Sequence, residues 1–194
     1  MTRIIGGSAK GRPLRVPEQG TRPTSDRVRE AVFSSLEHRL GGWSGVTVYD
    51  LYAGSGAFAL EALSRGAARA VAVERERRAL EVIRANAAAC RLTLDVVAAD
   101  VAQFCQRPPS PTPDLVFVDP PYELPAEALR AQLAQLLAQV PEGHQVLLVV
   151  ERSARDAESP LPAGCDDIDT RRLGETSVTY AHWYGEHHDG AAPA

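Results

Sequence analysis

Between Val46 and Val150, short β-branched or apolar runs alternate with stretches of helical spacing. The runs are VTVYDL at 46–51, AVAVE at 70–74, LDVVAAD at 94–100, LVFVD at 115–119 and HQVLLVV at 144–150. Most lack the strict apolar–polar alternation of a half-solvated strand, so they predict strands buried on both faces and paired in parallel. The spacing between them predicts helices over about 57–65, 76–91 and 125–139, the last with Leu129, Leu133, Leu136, Leu137 and Val140 along one stripe. This βαβ rhythm implies an α/β fold, a mostly parallel sheet covered by helices.

Ahead of the sheet, RIIGGSAKGRPLRV reads as two short strands around glycine turns. A helix follows, with Val28, Ala31, Val32, Leu36 and Leu40 as its apolar stripe and Thr24 or Ser25 as its cap. After the sheet, 165–172 and 176–184 read as a final strand pair, and EHHDGAAPA as a frayed tail. The proline-rich PPSPTP at 108–113 directly precedes a strand, which assigns it to the strands' N-terminal edge. Ligands of open α/β sheets bind at the opposite edge, so we read it as a solvent loop without chemistry.

With 194 residues, 44% of them hydrophobic and 24% charged, the chain has material for one well-packed core. No apolar run approaches the roughly 20 residues that span a bilayer, and MTRIIGGSAKGR lacks the apolar centre of a signal peptide. The expectation is a cytoplasmic protein without membrane contact. Cys90, Cys105 and Cys165 are odd in number and form no CxxC pair, which points to reduced thiols. His182, His187 and His188 lie close together near the C-terminus without carboxylates at useful spacing, so no metal is expected. Net charge is −4, but residues 1–29 hold seven basic groups against two acidic ones, +5, which leaves −9 for the rest. A basic arm on an acidic body is what a phosphate-bearing partner would favour; a solvated, arginine-rich surface is the plainer alternative.

DLYAGSGAFALEAL joins a strand, a turn with Gly54 and Gly56, and a helix, while Glu74 ends the next strand 20 residues after Gly54. By spacing alone GSGAFA also fits a dinucleotide fingerprint with Glu74 as the ribose acid. Asp50 shifts the balance. A carboxylate at the strand end would repel a pyrophosphate but suits the sulfonium and ammonium of S-adenosylmethionine. Glu74 would then accept the ribose hydroxyls and Asp100 the adenine amine. The competing reading is that Asp50 and Asp100 merely cap helices.

At the end of the fourth run stands Asp119-Pro120-Pro121-Tyr122. Two prolines fix φ and remove two backbone donors, leaving a stiff turn whose carbonyls face outward. An NH2 group fits it, with one proton to the Asp119 carboxylate and one to the Pro120 carbonyl, so that the nitrogen lone pair faces a methyl donor. A base amine is a poor nucleophile, so orientation and adjacent negative charge are what a protein can add. Tyr122 offers a face for a base taken out of its stack. An ordinary strand-ending turn with a core tyrosine is the alternative. Methylation of a pyrimidine carbon would need a cysteine nucleophile in the pocket, and no cysteine falls at a strand's carboxyl edge.

Taken together, RIIGG at 3–7, KGR at 10–12, RPTSDRVREAVF at 22–33, DLYAGSGAFALEALSRGA at 50–67, VDPPY at 118–122 and GETSVTYAHWY at 174–184 resemble the RsmD family of bacterial 16S ribosomal RNA guanine-N2 methyltransferases. The resemblance implies a Rossmann-like methyltransferase fold, with a seven-stranded, mostly parallel sheet whose last strand is antiparallel. A small N-terminal hairpin and helix would precede it. It divides the chain into a basic extension at 1–40, a methyltransferase domain at 41–184 and a disordered tail at 185–194. It implies S-adenosylmethionine as cofactor, held by Asp50, Gly54, Gly56, Glu74, Asp100 and Thr24. Catalytic placement falls on Asp119, Pro120 and Tyr122, and RNA contacts on Arg3, Lys10, Arg12, Arg22 and Arg27. The expected partner is 16S rRNA in an assembling small ribosomal subunit, met by a monomer. The family usually has glycine where this chain has Ala59 and phenylalanine where it has Tyr52. Amine methylation of DNA or of a protein glutamine, an NAD-dependent oxidoreductase and a non-catalytic RNA-binding module are the alternatives that the residues leave open.

Overall fold

The computed structural model describes residues 2–17, 26–156 and 158–185. A two-stranded hairpin, β1 (Thr2–Arg3) and β2 (Pro13–Leu14), leads to helix α1 (Asp26–Leu40). Strand and helix then alternate through β3 (Thr47–Leu51), α2 (Ala57–Arg65), β4 (Arg69–Glu74), α3 (Arg77–Cys90), β5 (Asp95–Ala98), α4 (Val101–Phe104), β6 (Leu115–Val118), α5 (Ala126–Leu137) and β7 (Val146–Ser153). Two further strands, β8 (Cys165–Leu173) and β9 (Thr176–Trp183), complete a seven-stranded sheet of order β5-β4-β3-β6-β7-β9-β8. β3 to β7 run parallel, and β9 is antiparallel to both of its neighbours. The sheet therefore has the seven strands and the reversed last strand that the sequence motifs imply. No helix among the described residues is long and apolar enough to cross a membrane.

Alternation along the strands divides the core. Val48, Leu115, Phe117, Leu147 and Val149 face one way, onto Val32, Phe33 and Leu36 of α1, Phe58 and Ala62 of α2 and Ile83 of α3. Tyr49, Leu51, Val116, Val118, Leu148 and Val150 face the other, onto Val101 of α4 and Leu129, Leu133 and Leu136 of α5. Each fully buried leucine here is worth about 1.5–3 kcal/mol, so the sheet's double cover is the main store of stability. Phe58 and Phe117, with ring centroids 4.7 Å apart, cross from helix to sheet beneath the carboxyl edge.

The pattern misjudged two places. The apolar run at 94–100 gives only the four residues of β5, because Asp100 leaves the sheet to cap α4 with its carboxylate on the Ala102 amide, 2.9 Å away. In α1 the buried stripe is Arg29, Val32, Phe33 and Leu36, whereas Ala31 is half-buried. Arg29, counted above in a phosphate-facing arm, is 1% exposed. Its guanidinium donates to the Arg3 carbonyl and to Asp26, and lies 4.0 Å from Glu61. The expected cap residues Thr24 and Ser25, Arg22 and the tail from 186 lie outside the described residues. PPSPTP does sit at the N-terminal edge: the Tyr49 hydroxyl donates to the Pro111 carbonyl at 2.6 Å, and Asp114 continues onto the Thr47 carbonyl at 2.9 Å.

The hairpin docks on α2 through one buried carboxylate. Glu61, fully buried, accepts the amides of Ile5 at 2.7 Å and Gly6 at 2.8 Å, and pairs with Arg65 at 2.8 Å. Ser64 extends the attachment, its carbonyl receiving the Ser8 amide at 2.7 Å and its hydroxyl the Ala9 amide at 2.9 Å. Gly7, at φ 75°, passes so close that a Cβ would stand 1.8 Å from the Ser64 carbonyl oxygen. Backbone strain alone costs about 1–3 kcal/mol at such a position, and the clash adds to it. Gly7→Ala is thus expected to detach the hairpin, with faster hydrogen exchange at the Ser8 and Ala9 amides and lower thermal stability. Unchanged exchange at both would contradict this docking.

Candidate active site

Strand order reverses between β3 and β6, and a sheet opens a crevice where that happens, outside its carboxyl ends. A cleft of about 1250 Å³ lies there. Its wall collects Asp50, Gly54, Glu74, Asp100, Asp119, Pro120 and Tyr122, residues from four different strand ends. Of the other sequence candidates, Gly56 sits behind the loop, where a Cβ would come 3.2 Å from Ile83. Arg3, Lys10 and Arg12 are exposed on the hairpin and Arg27 on α1, outside the cleft wall. Thr24 and Arg22 lie outside the described residues.

The loop after β3 turns through left-handed backbone at Tyr52, Gly54 and Gly56, with φ of 63°, 55° and 75°. Glycine reaches that region without cost, which explains the two glycines. Glu74 holds the loop: one carboxylate oxygen accepts the Gly54 amide at 2.9 Å, while the other accepts Arg75 and Glu76 at 2.8 and 2.9 Å. Asn86 on α3 braces the other side, donating to the Ser55 carbonyl and exchanging hydrogen bonds with the backbone of Arg15.

Asp50 is 2% exposed and accepts the Ala59 amide, at 3.0 Å, in the first turn of α2. Burial pushes its carboxyl well above the ordinary 3.8; the Ala59 bond opposes that, and the nearby charges of Asp119 and Glu74 reinforce it. Asp100 caps α4 and meets Arg75 at 3.0 Å. Both aspartates therefore have the helix-capping contacts of the plainer reading while also facing the cleft.

Across the cleft, the DPPY turn is closed by the Leu124 amide on the Pro121 carbonyl at 3.0 Å. It is tied to β7 by buried Arg152, which donates to the Leu124 carbonyl at 3.0 Å and is itself fixed by Asp156 at 2.8 Å. Tyr122 is left 52% exposed at the rim, a ring presented rather than packed. Arg15, Arg29 and Glu151 also line the cleft and were not singled out from sequence. A polar residue inside an apolar stretch, as in VLLVVERS, was the available signal.

The cleft fits S-adenosylmethionine by its donor set: carboxylates at three neighbouring strand ends match hydroxyls, an amine and positive charge, and the glycine loop lets a ligand approach the backbone. A family model described as "Conserved hypothetical protein 95" matches residues 2–182. "Putative rRNA methyltransferase YlbH" of Bacillus subtilis is 32% identical over 179 residues, covering 88% of this chain and 91% of that protein. The chain belongs to the RsmD family. Similarity to "Ribosomal RNA small subunit methyltransferase D" of Escherichia coli (strain K12) is 41% identity over 122 residues, 62% of this chain and 60% of that protein. The solved structure "Putative methyltransferase yhhF from Escherichia coli" superposes with a TM-score of 0.77 at 32% identity, covering 95% of this chain and 99% of the other.

The two departures from the usual RsmD pattern are accommodated locally. Ala59 is fully buried yet small enough for its amide to reach Asp50. The Tyr52 hydroxyl, which phenylalanine would lack, donates to Gln132 on α5, and burial raises its phenol.

A raised carboxyl stabilises the fold below its ordinary titration range and loses that contribution as pH rises through the raised value. Asp50→Asn keeps an acceptor for Ala59 but cannot ionise. Its melting temperature should therefore fall less than that of the unmodified protein as pH rises above the ordinary carboxylate range. Parallel pH profiles would contradict the burial of an ionisable group at 50.

Proposed function

We propose that this chain transfers a methyl group from S-adenosylmethionine to the N2 amine of a guanine in 16S rRNA, acting as a cytoplasmic monomer on an assembling small ribosomal subunit. The supporting observation is the DPPY turn at the switch-point cleft, facing the glycine loop across the crevice. Family membership narrows the chemistry to methyl transfer, and the names of the relatives point to ribosomal RNA.

Bound S-adenosylmethionine supplies an electrophilic methyl group on a sulfonium. Glu74 would accept from its ribose and Asp100 from its adenine amine, with Asp50, Gly54 and Gly56 shaping the loop that holds it. Asp119 and the Pro120 carbonyl would accept hydrogen bonds from the two amine N–H groups, turning the nitrogen lone pair toward the methyl carbon; S-adenosylhomocysteine leaves, and the methylated nitrogen gives up one proton through Asp119 to solvent. Negative charge at 119 stabilises the positive charge that grows on nitrogen during displacement. Tyr122 stacks on the base. Arg3, Lys10, Arg12, Arg22 and Arg27, in the extension at 1–40, neutralise phosphates, while residues 41–184 carry the chemistry.

Asp119→Ala is expected to lower methyl transfer on the order of 10³-fold while the affinity for S-adenosylhomocysteine changes little. Normal turnover in that variant would refute the assignment. Tyr122→Ala should raise KM for RNA by roughly 10-fold or more, the scale of one lost base stack. Tritiated methyl transfer to naked rRNA, immature small subunits, DNA and protein identifies the substrate, and mapping modified nucleotides in cells lacking the protein identifies the guanine. Label entering DNA or protein alone, or saturable NAD binding without S-adenosylmethionine binding, would overturn the reading.

A further inference from the structure

β6 and β7 pair in parallel with Val118 opposite Val150, which sets Asp119 beside Glu151 at the next step. Phe117 and Val149, two positions earlier, both face the α1 and α2 side of the sheet. The two-residue period sends Asp119 and Glu151 to that same side, on strands about 4.8 Å apart. Both line the cleft, and both line the apolar recess beneath it formed by Val32, Phe58, Phe117 and Val178. Glu151 is 9% exposed. Glu151 thus stands at the edge of an aromatic floor, one strand over from a second acid and open to the same cleft.

We infer that Glu151 is a specificity-determining residue which accepts the N1–H of the target guanine while Asp119 accepts its amine; this deepens the functional reading above and rests on it. Guanine carries N1–H and the N2 amine side by side on its Watson–Crick edge, a pair of adjacent donors. Two carboxylates on neighbouring strands meet them with one acceptor each. At the same ring position adenine has an unprotonated nitrogen, an acceptor facing an acceptor, so Glu151 excludes it. Sites built to receive a substrate N–H discriminate strongly, because the buried acceptor is stranded when that N–H is missing.

The test uses small-subunit RNA in which 2-aminopurine replaces the mapped guanine. That base keeps the 2-amine but has an acceptor at N1. The unmodified protein should lose on the order of 100-fold in kcat/KM on it. Glu151→Gln, which can donate to N1, should narrow the ratio of guanine to 2-aminopurine to about 10-fold or less, with affinity for S-adenosylhomocysteine and melting temperature held. An unchanged ratio, or loss of cofactor affinity in the variant, would overturn the inference alone. Failure of the unmodified protein to methylate guanine RNA would remove the functional reading as well.

Discussion

The parallel register of β3, β6 and β7 is the constraint on which the site depends. Asp50 pairs with Phe117, and Phe117 with Val149, so three strands reach the carboxyl edge in step. A slip of one residue on β6 would turn Asp119 to the α5 side and bring Val118 to the cleft. Burial supports that register: Leu115, Phe117, Leu147 and Val149 fill one face and Val116, Val118, Leu148 and Val150 the other, and a slip would exchange side chains of different volume between two close-packed layers. The acidic character of the crevice is thus stabilised by apolar contacts one and two residues below it.

A second level of order comes from polar groups set between elements. Glu74, Asn86 and Arg152 each fasten a loop to a strand or helix through backbone atoms, so the loop's path is held without dependence on its own side chains. Such bonds are individually worth about 1 kcal/mol, or somewhat more to a charged group, but a stranded partner costs more than the bond contributed. The cleft is consequently rigid on both sides, at the glycine loop and at the proline turn, which suits a reaction that depends on angle and distance.

The strands, the glycine loop and DPPY were legible in the sequence because each is specified locally, by apolar runs, by glycines at positive φ and by paired prolines. The exchange of strand for cap at Asp100 was ambiguous, since an aspartate after an apolar run serves both ends equally well. Arg29 was misjudged because its burial depends on remote groups as well as on nearby Asp26: Glu61 is on another helix and the Arg3 carbonyl in the hairpin. The same distance hid Glu61, Asn86 and Arg152, whose partners are 56, 71 and 28 residues away. Composition counts an arginine as surface; only tertiary packing reveals which one is enclosed.

The attachment of the hairpin has a consequence for how such chains can diverge. The carboxylate that receives the amides of Ile5 and Gly6 belongs to α2, the helix that opens from the glycine loop. The arm is therefore not an interchangeable module. Transplanted to another sheet it would bring its glycines without their acceptor, and a scaffold stripped of it would leave a buried carboxylate short of two backbone donors. Segments at opposite ends of the first sixty-odd residues are bound to evolve as one unit, although nothing in their own stretches of chain announces the partnership.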